Sequence, residues 1–220
     1  MSQSLLGRAR ERRIIEVRLH NLRDWSADDR HRTVDDRSYG GGPGMVIQAE
    51  PIFKALKAIH ADGARVFGKK IKPHVVYLSP QGRVLTQARA AGLSRQPWLI
   101  LLCGHYEGID ERIMRWIDEE ISIGDYVLTG GEIPAMVLAD AVFRLVPGVV
   151  KEPGSLSAES FQEGRLDFPH YTRPAVWRKQ KVPSILLSGD HAAIDQWRQK
   201  QALQATRVKR PDLLKVRKKP

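Results

Sequence analysis

The chain has a single cysteine and no long apolar run, and each absence excludes a class of protein. Cys103, the one cysteine among 220 residues, rules out an internal disulfide and any zinc site built on several cysteines. No segment is apolar over the length that a membrane span requires. The arginine-rich first residues also lack the apolar core of a signal peptide. These features predict a cytoplasmic protein that does not cross a membrane.

Acidic residues are scarce relative to basic ones. The sequence has 36 Lys and Arg against 25 Asp and Glu, which gives a net charge of +11 and a pI near 10.0. Such an excess favours a polyanionic partner, most often nucleic acid, with an anionic membrane surface as the alternative. The hydrophobic content of 42% is sufficient for one large domain, or for one domain and a smaller one.

The usual phosphate-binding motifs are missing, since the chain has neither a Walker loop nor a G-x-G-x-x-G. Instead, three glycine-bearing turns each follow a short apolar run, at 78–82, 103–110 and 123–135. Glycine lets backbone groups approach a ligand because no Cβ intervenes. If the turns converge at the ends of neighbouring strands, they form the kind of site at which open α/β sheets bind ligands. The seven histidines have no metal-ligand spacing, so no metal site is predicted.

Alternating apolar runs and amphipathic segments predict an α/β domain with a mainly parallel sheet. Strands are expected at 14–19, 45–48, 75–78, 98–102 and 125–128. Helices are expected at 4–13, 51–61, 83–93, 109–120, 134–145, 175–178 and 190–205. The composition changes near Pro147, and residues 147–166 are rich in Gly, Ser, Pro and Glu. We therefore expect a domain over 1–146, a linker over 147–166 and a second domain over 167–220.

Further motifs flank the three turns in a fixed order: VDDRSYGGGPGM at 34–45 before them, then PHYTRP at 169–174 and LLSGDH at 186–191 after them. Together these motifs resemble the bacterial tRNA (guanine-N1-)-methyltransferase family, which modifies position 37 beside the anticodon. The resemblance extends from SLLGRARE to KRPDLL, nearly the whole chain. Several long motifs in one order are far more specific than a lone YGGGPG or GHYEG.

The resemblance implies an architecture that periodicity alone does not predict. It implies a SPOUT-type α/β domain with a deep trefoil knot, followed by a small helical domain that binds tRNA. It also implies a homodimer with active sites at the subunit interface. Periodicity predicts only an ordinary doubly wound sheet, because knots are rare. Family members usually begin with an apolar strand ahead of the segment where this sequence starts. The expectation is therefore a start site assigned too far downstream, or a sheet without that strand.

The resemblance further implies that S-adenosylmethionine, the methyl donor, binds in a bent shape within the knot and is held by the three turns. Backbone groups there can read the adenine edge, apolar side chains can sandwich the ring, and a carboxylate can attend the ribose or the cationic sulfur. The corresponding residues of this sequence are Tyr77, Leu78, Ser79, Pro80, Gly104, Tyr106, Glu107, Ile123, Gly124, Asp125, Tyr126, Val127, Leu128, Gly130, Gly131 and Pro134.

Methylation at guanine N1 requires a base near N1 and a cation near O6, because N1 carries a proton and negative charge develops on O6. The resemblance assigns the base to an Asp before Ser-Phe, where this chain has Glu159, and the cation to Arg144. Glu159 reaches one methylene further than the family's Asp. Asp167 is a second carboxylate candidate, which either contacts the guanine or is itself the base. The sequence alone favours an ion pair between Arg144 and Asp140 and a solvated Glu159.

Two other functions remain open at this point. Glu159 in the base position is compatible with an inactive SPOUT-fold protein that only binds RNA, and a SPOUT methyltransferase acting on another RNA has the same motifs. For RNA binding, the basic tail 207–219 carries seven Lys or Arg against one acid. The aromatic and basic residues suited to stack on bases and grip phosphates are Tyr171, Arg173, Trp177, Arg178 and Trp197. Tryptophans in a small helical domain are more often core, so RNA contact is expected first of the basic residues.

Overall fold

The computed structural model describes residues 5–150 and 159–214, and the chain divides into two compact units, Met1–Lys151 and Glu152–Pro220. The helices are α1 (Leu5–Glu11), α2 (Ala49–Phe67), α3 (Gln87–Leu93), α4 (Glu132–Phe143) and α5 (His191–Lys209). The strands are β1 (Asp35–Asp36), β2 (Val46–Ile47), β3 (His74–Val84), β4 (Leu99–Cys103), β5 (Glu119–Ser122), β6 (Val176–Trp177) and β7 (Gln180–Lys181). Short 3-10 helices cover Leu22–Trp25, Glu111–Trp116, Ser184–Leu187 and Pro211–Leu214.

A three-stranded sheet in the order β4-β3-β5 forms the centre of the N-terminal unit. Both pairings are parallel, which confirms the mainly parallel α/β sheet that the sequence predicts. Val75 to Leu78 and Leu99 to Cys103 are continuous apolar runs, as expected of strands that are covered on both faces. The central strand β3 pairs with both neighbours, and helices connect the strands.

Alternate residues of β3 enter two separate hydrophobic cores, as the two-residue period of a strand requires. Val75 and Tyr77 pack with residues of α2 and of the 3-10 helix Glu111–Trp116. Val76 and Leu78 pack on the other face with residues of α3 and α4. Both faces of the sheet are therefore covered, and the strand ends are the part of the sheet where a site can form.

Several predicted elements are wrong, each for a reason that lies in long-range packing. Residues 14–19 form no strand, because the adjacent residues Ile14 and Ile15 both pack into a small cluster with α1, while Leu19 is 93% exposed. The helix expected at 109–120 is a 3-10 helix that gives way to β5 at Glu119. The strand expected at 125–128 lies earlier, at 119–122, because these are the residues that pair with β3.

The C-terminal unit contains α5 and a hairpin rather than two helices. Residues 175–178, expected to be helical, belong to that hairpin, in which Trp177 pairs with Gln180. Helix α5 begins after Asp190, whose side chain accepts a hydrogen bond from the Ala193 amide at 3.0 Å. Near its other end, the buried Thr206 hydroxyl donates to the Ala202 carbonyl and accepts from the Leu166 amide. No helix among the described residues is long and apolar enough to cross a membrane.

Candidate active site

The three glycine-bearing turns leave the sheet at one edge. Leu78 of β3 pairs with Cys103 of β4 and with Ile121 of β5, so these three residues share one level across the sheet. Because the strands are parallel, the segments that follow those residues emerge on the same side. The first turn, Ser79 to Gly82, is an excursion within β3, since Leu78 and Arg83 both face Ile121. The structure thus brings the three turns together.

Direct backbone contacts join the second and third turns. The Gly131 amide donates to the Gly104 carbonyl at 2.8 Å, and His105 and Gly130 form an antiparallel bridge. A Cβ on Gly131 would lie 2.7 Å from the Cα of Cys103 and 2.8 Å from the Gly104 amide nitrogen. Only glycine permits this approach, so the glycines are required by the geometry of the site and not by turn formation alone.

Buried polar side chains form the floor beneath these turns. Tyr77 is 7% exposed, and its hydroxyl oxygen lies 3.0 Å from the position of a Cβ on Gly104. Burial, with the nearby charges of Glu120 and Glu111, raises the pKa of Tyr77, so its phenol stays protonated at neutral pH. Burial, with the charge of Glu132, also raises the pKa of Cys103 to about 11. Cys103 is therefore not a thiolate nucleophile.

Local hydrogen bonds shape the third turn. The Ser122 hydroxyl donates to the Gly124 carbonyl at 2.9 Å and accepts from the Gly124 amide at 3.1 Å. Gly124 has a φ of 150°, and a Cβ there would lie 2.5 Å from the Tyr126 ring. Tyr126, Val127 and Leu128 are 54%, 82% and 39% exposed. The turn therefore presents apolar side chains to solvent, which are available to a ligand or to a partner.

The remaining candidates for donor binding lie in or beside the same three turns. Ser79 is buried, and its hydroxyl accepts from the Gln81 amide at 3.1 Å. Asp125 is exposed, whereas Ile123 and Pro134 are half-buried, with Pro134 in the first turn of α4. Tyr106 has a φ of 59° and is 49% exposed. The structure therefore groups the predicted residues, while their contacts with a donor remain a prediction.

The loop between β1 and β2 is attached to the second turn, a connection that sequence reasoning missed. The Glu107 amide donates to the Met45 carbonyl at 3.1 Å, and the Ile47 amide donates to the Gly108 carbonyl at 3.0 Å. Gly44 lies so close that a Cβ would be 2.4 Å from a Glu107 carboxylate oxygen. The SYGGGPG segment is therefore part of the same edge. Its glycine run was the available signal, but its partner lies about 60 residues further along the chain.

The two candidate bases flank one tight loop in the C-terminal unit. The Asp167 amide donates to the hydroxyl of Ser160, the residue after Glu159, at 3.0 Å. Across the same loop, the Phe161 amide donates to the Arg165 carbonyl at 2.7 Å. Asp167 lies eight residues after Glu159 in sequence, yet the loop brings its amide within hydrogen-bond distance of the residue that follows Glu159. Glu159 and Asp167 are both half-buried.

Both oxygens of the Asp167 carboxylate have a partner. One oxygen accepts from the Phe168 amide at 2.7 Å, and the other lies 2.9 Å from Nε2 of His170. Arg144 belongs to the N-terminal unit, where it is the C-cap of α4 and its amide donates to the Asp140 carbonyl. Among the described residues, no group of three His, Cys, Asp or Glu side chains is arranged to hold a metal ion.

Comparison with known proteins places this site in a family. The family model described as tRNA (Guanine-1)-methyltransferase TrmD matches residues 1–216. A tRNA (guanine-N(1)-)-methyltransferase of Ruminiclostridium cellulolyticum is 57% identical over 97% of this chain and 89% of its own length. Proteins of the same name from Endomicrobium trichonymphae and Dictyoglomus turgidum are 48% and 54% identical over 98% and 96% of this chain, and over 93% and 82% of their own lengths.

Matches of this extent cover the loop between β1 and β2, the three turns, and the loop of the C-terminal unit that carries the two carboxylates. The resemblance first seen in the motifs is confirmed over nearly the full chain. The protein belongs to the tRNA (guanine-1)-methyltransferase family.

Proposed function

We propose that this protein transfers a methyl group from S-adenosylmethionine to N1 of guanine 37 of tRNA. The observation that carries the proposal is the convergence of three turns at one edge of a parallel sheet in a chain of this family. S-adenosylmethionine supplies an electrophilic methyl group to whatever nucleophile is held in line with it. The residues of this chain must then hold the donor, remove the N1 proton and stabilise charge on O6.

The donor fits the three turns for steric reasons. Added Cβ atoms at Gly104, Gly124 and Gly131 would each lie 3.0 Å or less from neighbouring protein atoms. Only glycine at these positions therefore lets the turns pack against their neighbours at van der Waals distance. The exposed apolar side chains of Tyr126, Val127 and Leu128 suit an adenine ring. Backbone groups of the turns supply hydrogen bonds that distinguish the edge of the base.

Either Glu159 or Asp167 removes the N1 proton. A carboxylate works in this role because guanine N1 becomes nucleophilic only as its proton leaves. Asp167 is held by the Phe168 amide and His170, which favours a fixed position. Glu159 occupies the position that the resemblance assigns to the base. Arg144 stabilises the charge that develops on O6, as a preorganised cation does for an oxyanion.

The active site lies between two copies of the chain. Helix α4 begins beside the third turn and ends at Arg144, 12 residues after Glu132, or about 18 Å along the axis. That distance exceeds the reach of one arginine side chain, which supports a site completed by the Arg144 of a second copy. An exposed apolar stripe on α4 suits such an interface: Ile133, Met136 and Val137 are 56%, 53% and 44% exposed.

The proposal also includes the fold type, the domain bounds, the oligomeric state and the location of the protein. The N-terminal unit is a SPOUT-type domain with a trefoil knot, spanning 1–146 as the methyltransferase domain. Residues 147–166 are the interdomain linker, and 167–220 form a helical tRNA-binding domain. The protein acts as a homodimer in the cytoplasm. The net charge of +11 supports tRNA as the partner, because phosphate contacts dominate the affinity of nucleic-acid complexes.

Methyl transfer from labelled S-adenosylmethionine to tRNA transcripts tests the proposal. Transcripts with G37 should accept the methyl group, and otherwise identical transcripts with A37 should not. Binding of both ligands without transfer would identify an inactive RNA-binding relative. Transfer to other RNA species, with none to G37, would identify a different substrate. S-adenosylhomocysteine should raise the melting temperature by mass action, and its failure to do so would contradict the donor site.

A further inference from the structure

The hairpin formed by β6 and β7 has an unusual pair of residues at its tip. Trp177 pairs with Gln180, which leaves a two-residue connection formed by Arg178 and Lys179. Their φ angles are 46° and 66°. A two-residue hairpin with positive φ at both positions normally contains Asn-Gly or a similar pair, because longer side chains are disfavoured in this region. Two cations therefore occupy positions that folding alone would give to other residues.

The hairpin also stands apart in charge and exposure. Between Asp167 and Asp190 the sequence has no acidic residue and four Lys or Arg. Every residue from 171 to 181 is exposed. Among residues 159–214, which the structure describes in this unit, no carboxylate forms an ion pair with Arg178, Lys179 or Lys181. The positive charge at the tip is therefore directed to solvent, and no carboxylate among residues 159–214 balances it.

An exposed aromatic residue lies beside these cations. Trp177 is 59% exposed, and the Arg178 guanidinium lies 5.0 Å from the centre of its ring. Aromatic rings interleaved with Lys and Arg are typical of surfaces that bind single-stranded nucleic acid, where bases stack on the rings and cations contact phosphates.

We propose that the hairpin tip is an RNA contact, in which Arg178 and Lys179 bind backbone phosphates and Trp177 stacks on an unpaired base. The inference rests on the proposed function, from which it takes its substrate, tRNA. It adds an element of the chain that binds that substrate. A purely structural alternative exists, since Lys and Arg on an exposed strand edge also prevent edge-to-edge aggregation. The two explanations give opposite results when the tip is replaced by an ideal turn.

The decisive variant is Arg178→Asn/Lys179→Gly. An Asn-Gly pair suits positive φ at both positions, so the variant should melt at a higher temperature than the parent. If the tip contacts phosphates, the Kd for tRNA should nevertheless rise. The slope of log affinity against log salt should become shallower by about 1.4 to 1.8, since each phosphate contact contributes about 0.7 to 0.9. Affinity for S-adenosylhomocysteine should not change.

A matched control is Lys69→Asn/Lys70→Gly. This pair lies in an exposed turn before β3, at the edge of the sheet opposite to the three glycine turns, and its removal lowers the net charge by the same amount. A second variant, Arg178→Gln/Lys179→Gln, removes the charges without changing the turn preference. For the aromatic contact, Trp177→Ala should raise the Kd roughly 5- to 150-fold, as the loss of a stacking ring does, and Trp177→Phe should retain most of the affinity.

Equal tRNA affinity and salt slope in the tip variants and in the control would overturn the inference and assign the cations to solubility. In that case the parent would still bind and methylate tRNA, so the proposed function would stand. A parent that binds no tRNA would contradict both. In the expected result, the tip variants have a raised KM for tRNA and a kcat at saturating tRNA close to that of the parent.

Discussion

Gly131 lets two segments of backbone meet where any other residue would separate them. Its amide donates to the Gly104 carbonyl, and its missing Cβ leaves room for the Cα of Cys103. Gly131 has a φ of −80°, an ordinary value for any residue. The requirement for glycine is therefore steric alone, which makes the position a clean test of the close approach between the second and third turns.

Gly131→Ala should destabilise the protein by about 1–3 kcal/mol, as overpacking against backbone does, and should abolish the thermal shift caused by S-adenosylhomocysteine. Urea denaturation and a melting assay with the ligand would measure both effects. Gly92→Ala is the matched control, because that Cβ would meet only Arg89 Nη1, at 3.5 Å. In α3 it should stabilise by up to ~1 kcal/mol. Retained donor binding in Gly131→Ala would contradict the proposed packing of the turns.

The choice between Glu159 and Asp167 as the base is a second question at the scale of single residues. An amide cannot accept the N1 proton, so Glu159→Gln should keep donor and tRNA binding and lose turnover if Glu159 is the base. Glu159→Asp should retain activity. If Arg144 stabilises the charge on O6, Arg144→Ala should lower kcat, because the activation free energy rises by about 2–4 kcal/mol. Single-turnover kinetics would separate these effects from binding.

The opposite pattern identifies the other carboxylate. If Glu159→Gln methylates at the parental rate and Asp167→Asn does not, then Asp167 is the base. His170→Gln is then informative, because His170 lies 2.9 Å from an Asp167 oxygen and its loss should shift the pH–rate profile. An unchanged profile would restrict His170 to a structural contact.

At the scale of elements, helix α3 is tied to the sheet by a partly buried ion network. Nε of Arg89 lies 2.6 Å from one oxygen of Glu119 at the start of β5. Nε2 of His74, at the start of β3, lies 3.2 Å from the other oxygen. The Glu119 side chain is only 16% exposed. Because three elements meet there, the network holds the edge of the sheet opposite to the glycine turns.

Arg89→Met should cost about 1–3 kcal/mol of unfolding free energy, because the Glu119 carboxylate keeps its burial and loses its main partner; the partial exposure of Arg89 limits the effect. The double variant Arg89→Met/Glu119→Gln should recover part of that loss. Urea denaturation would measure both. Arg65→Met, which breaks an exposed pair with Asp62, should change stability by less than about 1 kcal/mol. A double variant as unstable as the sum of its singles would refute the coupling.

At the scale of the whole molecule, the basic tail is shorter than the sequence suggests. Residues 207–209 belong to α5, and the helix end is fixed by Thr206, which accepts from the Leu166 amide. Removal of 207–220 would therefore damage the C-terminal unit as well as remove charge. Residues 215–220 still carry four Lys or Arg, and their deletion separates the two effects.

Deletion of 215–220 should weaken tRNA binding and make the salt slope shallower by up to about 2.8 to 3.6, since each lost phosphate contact contributes about 0.7–0.9. Melting temperature and donor affinity should match those of the parent. Replacing Lys215, Arg217, Lys218 and Lys219 by Gln in the full chain controls for length and should have the same effect. Unchanged tRNA affinity in both variants would show that the tail contributes only to solubility.

The sequence by itself determined the features that depend on neighbouring residues. The charge of +11, the order of the motifs and the apolar runs of β3 and β4 are local, and they were enough to predict a parallel α/β sheet and the family. The cap of α5 at Asp190 also follows from residues close in sequence. The three glycine-bearing turns were visible because glycine after an apolar run is a local signal.

The tertiary structure decided what depends on partners far along the chain. Three departures from the predicted elements follow from which residues find a core or a pairing strand. They are the exposed Leu19, the position of β5 ahead of the strand predicted at 125–128, and the hairpin at 176–181. The approach of Gly131 to Gly104 follows likewise from the parallel register, in which Leu78, Cys103 and Ile121 share one level. The pattern of one strand alone does not give this register, because the register depends on which faces of distant strands pack together in the core.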